Sequence, residues 1–247
     1  MPGIDRNPEE EYSKNHIPGA IFFDLDKNSD QDTDLPHMLP SKEKWEEIVS
    51  AMGISNTDRI VIYDNSDVLS SCRGWYNFIY FGHDKQLVSV LDGGLKKWLI
   101  ENRKITSEKT ILNNSTYRAT ENKNLVKSIL EINENIEQKN FTVIDARSKE
   151  RFDGSVPDPR KNVRSGSIPN SVCLPFKEVI NSNDNTFKNK NEISKKFDEI
   201  IDLSEKNRVF SCGSGITACV LSLAYSLVNN TYSPTVYDGS WAEYGKL

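Results

Sequence analysis

The sequence predicts an α/β fold in two tandem halves, each a parallel sheet flanked by helices. Three observations carry that prediction. Short apolar runs alternate with stretches of helical length: LVKSILEINENIEQ precedes FTVIDAR, and EISKKFDEIID precedes RVFSC. Such alternation builds strands joined by helical crossovers, hence parallel sheets with helices on both faces. A triplet of segments also occurs twice in the same order. HIPGAIFFDL (16–25), RIVIYD (59–64) and VSVLDGGLKKWL (88–99) are echoed by SIPNSVCLPF (167–176), RVFSC (208–212) and PTVYDGSWAEY (234–244). The offset, roughly 150 residues, is the size of a domain and marks an internal duplication rather than a short-period array. Finally, SEKTILNNSTYRAT (107–120) is polar and patternless and reads as a linker. The expected partition is a first domain over 1–105, a linker over 106–120 and a second domain over 121–247.

Composition narrows the class. The chain has 247 residues, a formal net charge of -5 and 27% charged residues, as expected of a water-soluble globular protein. No run of about 18 apolar residues occurs, so no membrane helix is expected. The acidic start MPGIDRNPEEEY lacks the apolar core of a signal peptide. Cys72, Cys173, Cys212 and Cys219 show no CxxC spacing. That disfavours a zinc site or a disulfide framework and fits a reducing, cytoplasmic setting. No Lys/Arg stripe points to nucleic acid. Neither a metal nor an organic cofactor is expected.

The two halves are not equivalent. Laid side by side, Asp64 falls where Cys212 stands, and NSDVLSSCRGW after Asp64 lacks paired glycines. FTVIDAR precedes SIPNS in the second half, whereas no strand-like run precedes HIPGA in the first. The first sheet is therefore expected to lack its opening strand and to carry an uncovered edge.

The stretch RVFSCGSGITACVLSLAY (208–225) carries the chemistry. Val209 and Phe210 end a buried strand, Gly213, Ser214 and Gly215 break it, and Ala218 to Val228 reads as a buried helix. Cys212 thus sits where a strand stops and a helix starts. Successive N–H groups of such a loop form an anion nest, and the helix dipole adds to it. Both favour a thiolate, the nucleophilic form of sulfur. The other three cysteines lack this loop and read as small buried apolar residues.

CGSGITA (212–218) resembles the active-site loop of the rhodanese superfamily in its 3-mercaptopyruvate sulfurtransferase form. DARSKERFDGSVPDPR, SGSIPNS and YDGSWAEYG are similar to that family's second domain; HIPGAIFFDLD, LPHMLP and FGHDKQLVSVLDGG are similar to its first. The resemblance implies two rhodanese-like domains with the site at their interface and the nucleophile, Cys212, in the second. It implies that sulfur leaves a small-molecule donor for Cys212 as a persulfide, then passes to a thiol acceptor such as a thioredoxin-like protein, or to cyanide.

Arg151 and Arg160, nine residues apart in a Pro/Gly-rich loop, read from sequence alone equally well as solvated surface charges or as carboxylate binders. The resemblance implies that they hold the donor's carboxylate and keto oxygen. It likewise implies a relay of Ser214, His37 and Asp26 across the domain interface, and a sulfur cradle of Gly213, Gly215, Ile216, Thr217 and Ala218. Ala218 stands where a cysteine phosphatase needs an arginine, so phosphoryl transfer lacks its clamp. The alternatives are a thiosulfate sulfurtransferase and a non-catalytic persulfide-binding regulatory module. The uncharged side chains after Cys212 favour mercaptopyruvate over the thiosulfate dianion. Ser167 and Asn170 depart from the family's usual His and Gly, and the chain starts late and stops at GKL, soon after SWAEYG.

Overall fold

A computed structural model describes residues 6–201 and 207–247. In the first half, α1 (Pro8–Lys14) is capped by Asn7, with Pro8 in its first turn and Glu9 to Glu11 at the positive end of its dipole. Next come α2 (Lys42–Ala51), β1 (Ile60–Ile62), α3 (Ser71–Tyr80), β2 (Val88–Val90) and α4 (Gly94–Ile100). The second half runs β3 (Val126–Lys127), α5 (Ile129–Gln138), β4 (Thr142–Asp145), α6 (Lys149–Asp153), β5 (Val172–Cys173), α7 (Lys190–Asp198), β6 (Arg208–Ser211), α8 (Ile216–Val228), β7 (Val236–Tyr237) and α9 (Ser240–Tyr244). Reciprocal capping boxes, Ser128 with Glu131 and Asn189 with Glu192, start α5 and α7.

The second sheet is parallel throughout, in the order β3-β7-β6-β4-β5. Strand alternation divides its core between two faces. Ile144 and Phe210 pack with Val220 and Leu221 of α8 and Ile193 and Phe197 of α7. Val143 and Val209 pack on the other face with Ile132 of α5 and Trp241 of α9. Central β6 points its C-terminal end at the loop carrying Cys212.

Among the described residues, the first sheet has two parallel strands, with Ile60 opposite Val88. The segment ahead of HIPGA holds α1, and no described strand precedes it. Val61 in β1 is 56% exposed, whereas its counterpart Val209, covered by Ile132 of α5 and Trp241 of α9, is 2% exposed. The Asn170 substitution is accommodated: φ is +61° there and +82° at the equivalent Gly19. Asparagine is among the non-glycine residues that tolerate this left-handed region.

The 107–120 segment has no regular element, as expected, but it packs closely on the first half. Its Ser115 N–H donates to Ser50 O at 2.9 Å, its Tyr117 N–H to Ser50 Oγ at 2.9 Å and its Ala119 N–H to Glu46 Oε1 at 2.8 Å. Tyr117 is buried, stacked on His83 and edge-on to Phe78. A single aromatic in a polar run gives no periodicity, so this anchoring was invisible in the sequence.

Tyr117→Ala should therefore destabilise the protein by about 3 kcal/mol or more, as a buried aromatic does. Val61→Thr should change stability by less than about 0.5 kcal/mol, since its side chain is solvated. Urea denaturation of the full chain measures both, and a negligible effect of Tyr117→Ala would return the segment to a loose tether.

Candidate active site

Cys212 follows β6 and is nearly buried, and the chain turns sharply into α8 through Gly215 at φ +79°. The helix starts at Ile216, two residues before the sequence suggested, so the N–H groups of Ile216, Thr217 and Ala218 lie in its first turn, where helical partners are lacking. No acidic side chain occupies that turn to offset the dipole. The N–H groups of Gly213 and Ser214 have no acceptor among the described residues.

Gly215 is different. Its N–H donates to Ser240 Oγ at 3.1 Å, so the expectation that Gly215 belongs to the sulfur cradle is corrected as far as its N–H is concerned. Ser240 Oγ also accepts from Cys212 N–H at 3.1 Å and donates to Tyr237 O at 2.8 Å. Sequence reasoning passed over Ser240. The signal was the echo of DGG (92–94) by DGS (238–240), a serine where the half without the nucleophile has glycine.

Arg151 and Arg160 converge on the loop. A Cβ built on Gly213 would lie 3.1 Å from Arg160 Nη1 and 3.4 Å from Arg151 Nη2. Both guanidinium groups pair with Asp158, Arg151 at 2.6 Å and Arg160 at 3.5 Å. Burial pushes the Asp158 carboxyl up, but the two arginines and the Arg160 N–H outweigh it and hold it below the usual carboxylate range. The buried Nε of Arg151 has no hydrogen-bond partner among the described residues. The side chains keep 27% and 17% exposure, so an anion can reach them.

The first half brings the other polar groups. His37 Nδ1 is 2.9 Å from Ser214 Oγ, and His37 Nε2 is 2.9 Å from Asp26 Oδ1. The hydrogen bond from His37 holds the Asp26 carboxyl below its usual range. Residues 177 apart in sequence thus form a Ser–His–Asp chain beside Cys212. Arg73, from α3, reaches the same place and pairs with Asp238 at 2.6 Å; the sequence reading had singled out neither.

The remaining cysteines are held as thiols. Burial pushes Cys219 up to about 12 and, helped by Asp145, Cys173 to about 12; it raises Cys72 well above the usual thiol range. Asp64, at the place equivalent to Cys212, accepts from Ser71 N–H and from the Ser66 and Ser70 hydroxyls. Among the described residues, no group of three or more His, Cys, Asp or Glu side chains could hold a metal ion, and no helix is long and apolar enough to cross a membrane.

Residues 3–101 and 128–247 match the family model described as the rhodanese-like domain. An Arabidopsis thaliana protein named thiosulfate/3-mercaptopyruvate sulfurtransferase 1, mitochondrial, is 40% identical over 99% of this chain and 69% of its own length. The human protein named 3-mercaptopyruvate sulfurtransferase is 39% identical over 99% of this chain and 82% of its own. The crystal structure of Escherichia coli SseA, described as showing the rhodanese fold and catalytic mechanism of 3-mercaptopyruvate sulfotransferases, superposes with a TM-score of 0.86 at 30% identity. It covers 97% of this chain and 88% of that one. The chain belongs to the rhodanese family.

Gly215 is the position where the loop geometry is least forgiving. Its φ is left-handed, and a Cβ there would lie 2.7 Å from Arg73 Nη1 and 3.1 Å from Asp238 O. Gly215→Ala should therefore cost about 1–3 kcal/mol from backbone conformation alone. Thermal or urea denaturation would read that cost, and wild-type stability would mean that the loop relaxes freely.

Proposed function

We propose that the protein is a sulfurtransferase that takes sulfur from 3-mercaptopyruvate on Cys212 and passes it to a thiol acceptor or cyanide. The observation that carries the reading is the convergence of Arg151, Arg160, Ser214 and His37 on one loop next to Cys212. The Cys212 thiolate attacks the donor's sulfur. A sulfur–sulfur bond forms, the carbon–sulfur bond breaks, and its electron pair leaves on carbon as the enolate of pyruvate, which a proton then quenches. The thiol proton leaves through Ser214 Oγ to His37 Nδ1, with Asp26 on the far ring nitrogen stabilising the imidazolium. Arg151 and Arg160 hold the carboxylate and keto oxygen, and the free N–H groups of Gly213 and Ser214 and of the first turn of α8 cradle the outer sulfur. An acceptor thiolate, for instance of a thioredoxin-like protein, then attacks that sulfur and Cys212 returns to thiolate.

The reading includes a reducing compartment such as the cytosol, which the four unpaired cysteines support. Cell fractionation tests that part separately.

Incubation with mercaptopyruvate should add one sulfur atom, read by intact mass and localised to Cys212 by peptide mapping. Cys212→Ser should take up no sulfur and release no pyruvate, while Cys72→Ser and Cys219→Ser keep both. Turnover in Cys212→Ser, or sulfur on another cysteine, would overturn the mechanism.

Thiosulfate is the competing donor, and the arginines separate the two. Arg160→Ala should lower kcat/KM for mercaptopyruvate by about 2–4 kcal/mol, the cost of breaking a charge-assisted pair with the carboxylate. Its kcat/KM for thiosulfate should fall far less, because that dianion has no carboxylate or keto group to grip. Equal losses on both donors would show that Arg160 acts as a general anion receptor, and the thiosulfate reading would gain.

A further inference from the structure

We propose that Arg73 and Asp238 form a buried clamp that positions His37 against Ser214, so that the half without a nucleophile sets the proton-transfer geometry in the half that has one. The inference rests on the relay described above. The Arg73 and Asp238 side chains are 1% and 5% exposed and meet at 2.6 Å. Arg73 Nη2 donates to His37 O at 2.7 Å, and Asp238 Oδ2 accepts from Leu39 N–H at 2.8 Å. The pair therefore grips the backbone on both sides of Met38. Arg73 Nη1 also reaches Gly215 O at 3.4 Å, next to Ser214. Both ends of the His37–Ser214 hydrogen bond are tied to one ion pair.

His37 needs such a hold. Its φ is +63°, which a β-carbon makes unfavourable and which persists only where surroundings over-determine it. A buried ion pair is a weak source of stability, because desolvation opposes its Coulomb attraction. Here it fixes an arrangement instead. The duplication supplies an internal comparison. Asp92, counterpart of Asp238, also captures a backbone N–H of the opposite half, that of Phe187 at 2.8 Å. In the register that aligns Asp64 with Cys212, Arg73 corresponds to Leu221. The second half thus carries a leucine, not a cation, at the place equivalent to Arg73. Arg73 touches neither sulfur nor donor in this reading; it is a positioning residue.

The test is a double-mutant cycle on the full chain with mercaptopyruvate as donor and cyanide as acceptor. Arg73→Lys keeps the charge opposite Asp238, but one ammonium cannot span the carboxylate and both carbonyls. It should lower kcat by about 10- to 100-fold through misplacement of the imidazole, with KM changed by less than about threefold. The double variant Arg73→Lys/His37→Gln should be no slower than His37→Gln alone, because both losses act through one hydrogen bond. A merely structural Arg73 would lower the melting temperature, leave kcat of the folded protein unchanged and give multiplicative effects; that result overturns the proposal. If Arg73→Lys does not fold, Asp238→Asn should show the same kcat loss and the same lack of additivity with His37→Gln. Wild-type kcat in His37→Gln would sink the relay reading itself, and the clamp with it.

Discussion

The shape of the site depends on one left-handed serine. Ser240 sits at φ +49° and is wholly buried, and its hydroxyl ties Cys212 N–H, Gly215 N–H and Tyr237 O to a single point. Those three bonds set the width of the turn from β6 into α8 and fix the attitude of Cys212. The equivalent residue in the first half is Gly94, at φ +51°. There the conformation costs little, but no hydroxyl is available to brace the loop. Backbone strain is thus retained in the half where bracing has a use, as strained positions at functional sites tend to be. The Asp64 loop makes up its own bracing from Ser66, Ser70 and Ser71.

Each half closes the other's cradle. The 182–187 segment lies over Asp64 and Gly94, anchored by Phe187 N–H on Asp92 and by Lys96 on Ser182 O. The reciprocal segment of the first half lies over the Cys212 loop, anchored by Leu39 N–H on Asp238. The same exchange therefore delivers Phe187 to one cradle and His37 to the other. In one, Phe187 lines the space beside Asp64, whose carboxyl burial pushes up. The other faces a titratable ring beside a cysteine. The first half thus brings an imidazole and Arg73 to the cysteine-bearing half, at 2.9 Å from Ser214 Oγ and 2.6 Å from Asp238.

Local chemistry was the legible part of the sequence. The Gly-rich break after RVFSC announces itself through turn residues, and the β–α alternation through its periods, because both are written in neighbouring residues. The convergence of His37, Asp26 and Ser214 was reachable only through resemblance, since no spacing links residues from different halves. Arg73 was hidden for a related reason. On α3 it reads as one charge in an otherwise uncharged helix, and its partner lies 165 positions away in a turn. Tyr117 was hidden because anchoring by one ring leaves no pattern. Val61 shows the opposite limit: its strand was legible, but its exposure depends on what covers that face of the sheet, as α5 and α9 cover Val209.

The charge at the mouth and the glycine after the cysteine lie side by side. Arg151 and Arg160 share one carboxylate, Asp158, so the trio carries a single net positive charge. That suits a monoanion bearing one carboxylate, whereas a dianion would bring one charge into a nearly buried loop without a fixed counter-charge. The Arg160 head lies so close to Gly213 that a β-carbon there, at 3.1 Å from Nη1, would press on it. With no side chain at Gly213, the positive charge reaches the loop from the side, through the Arg151 and Arg160 heads. A loop carrying its own cations would place that charge beside the sulfur instead and suit a compact dianion.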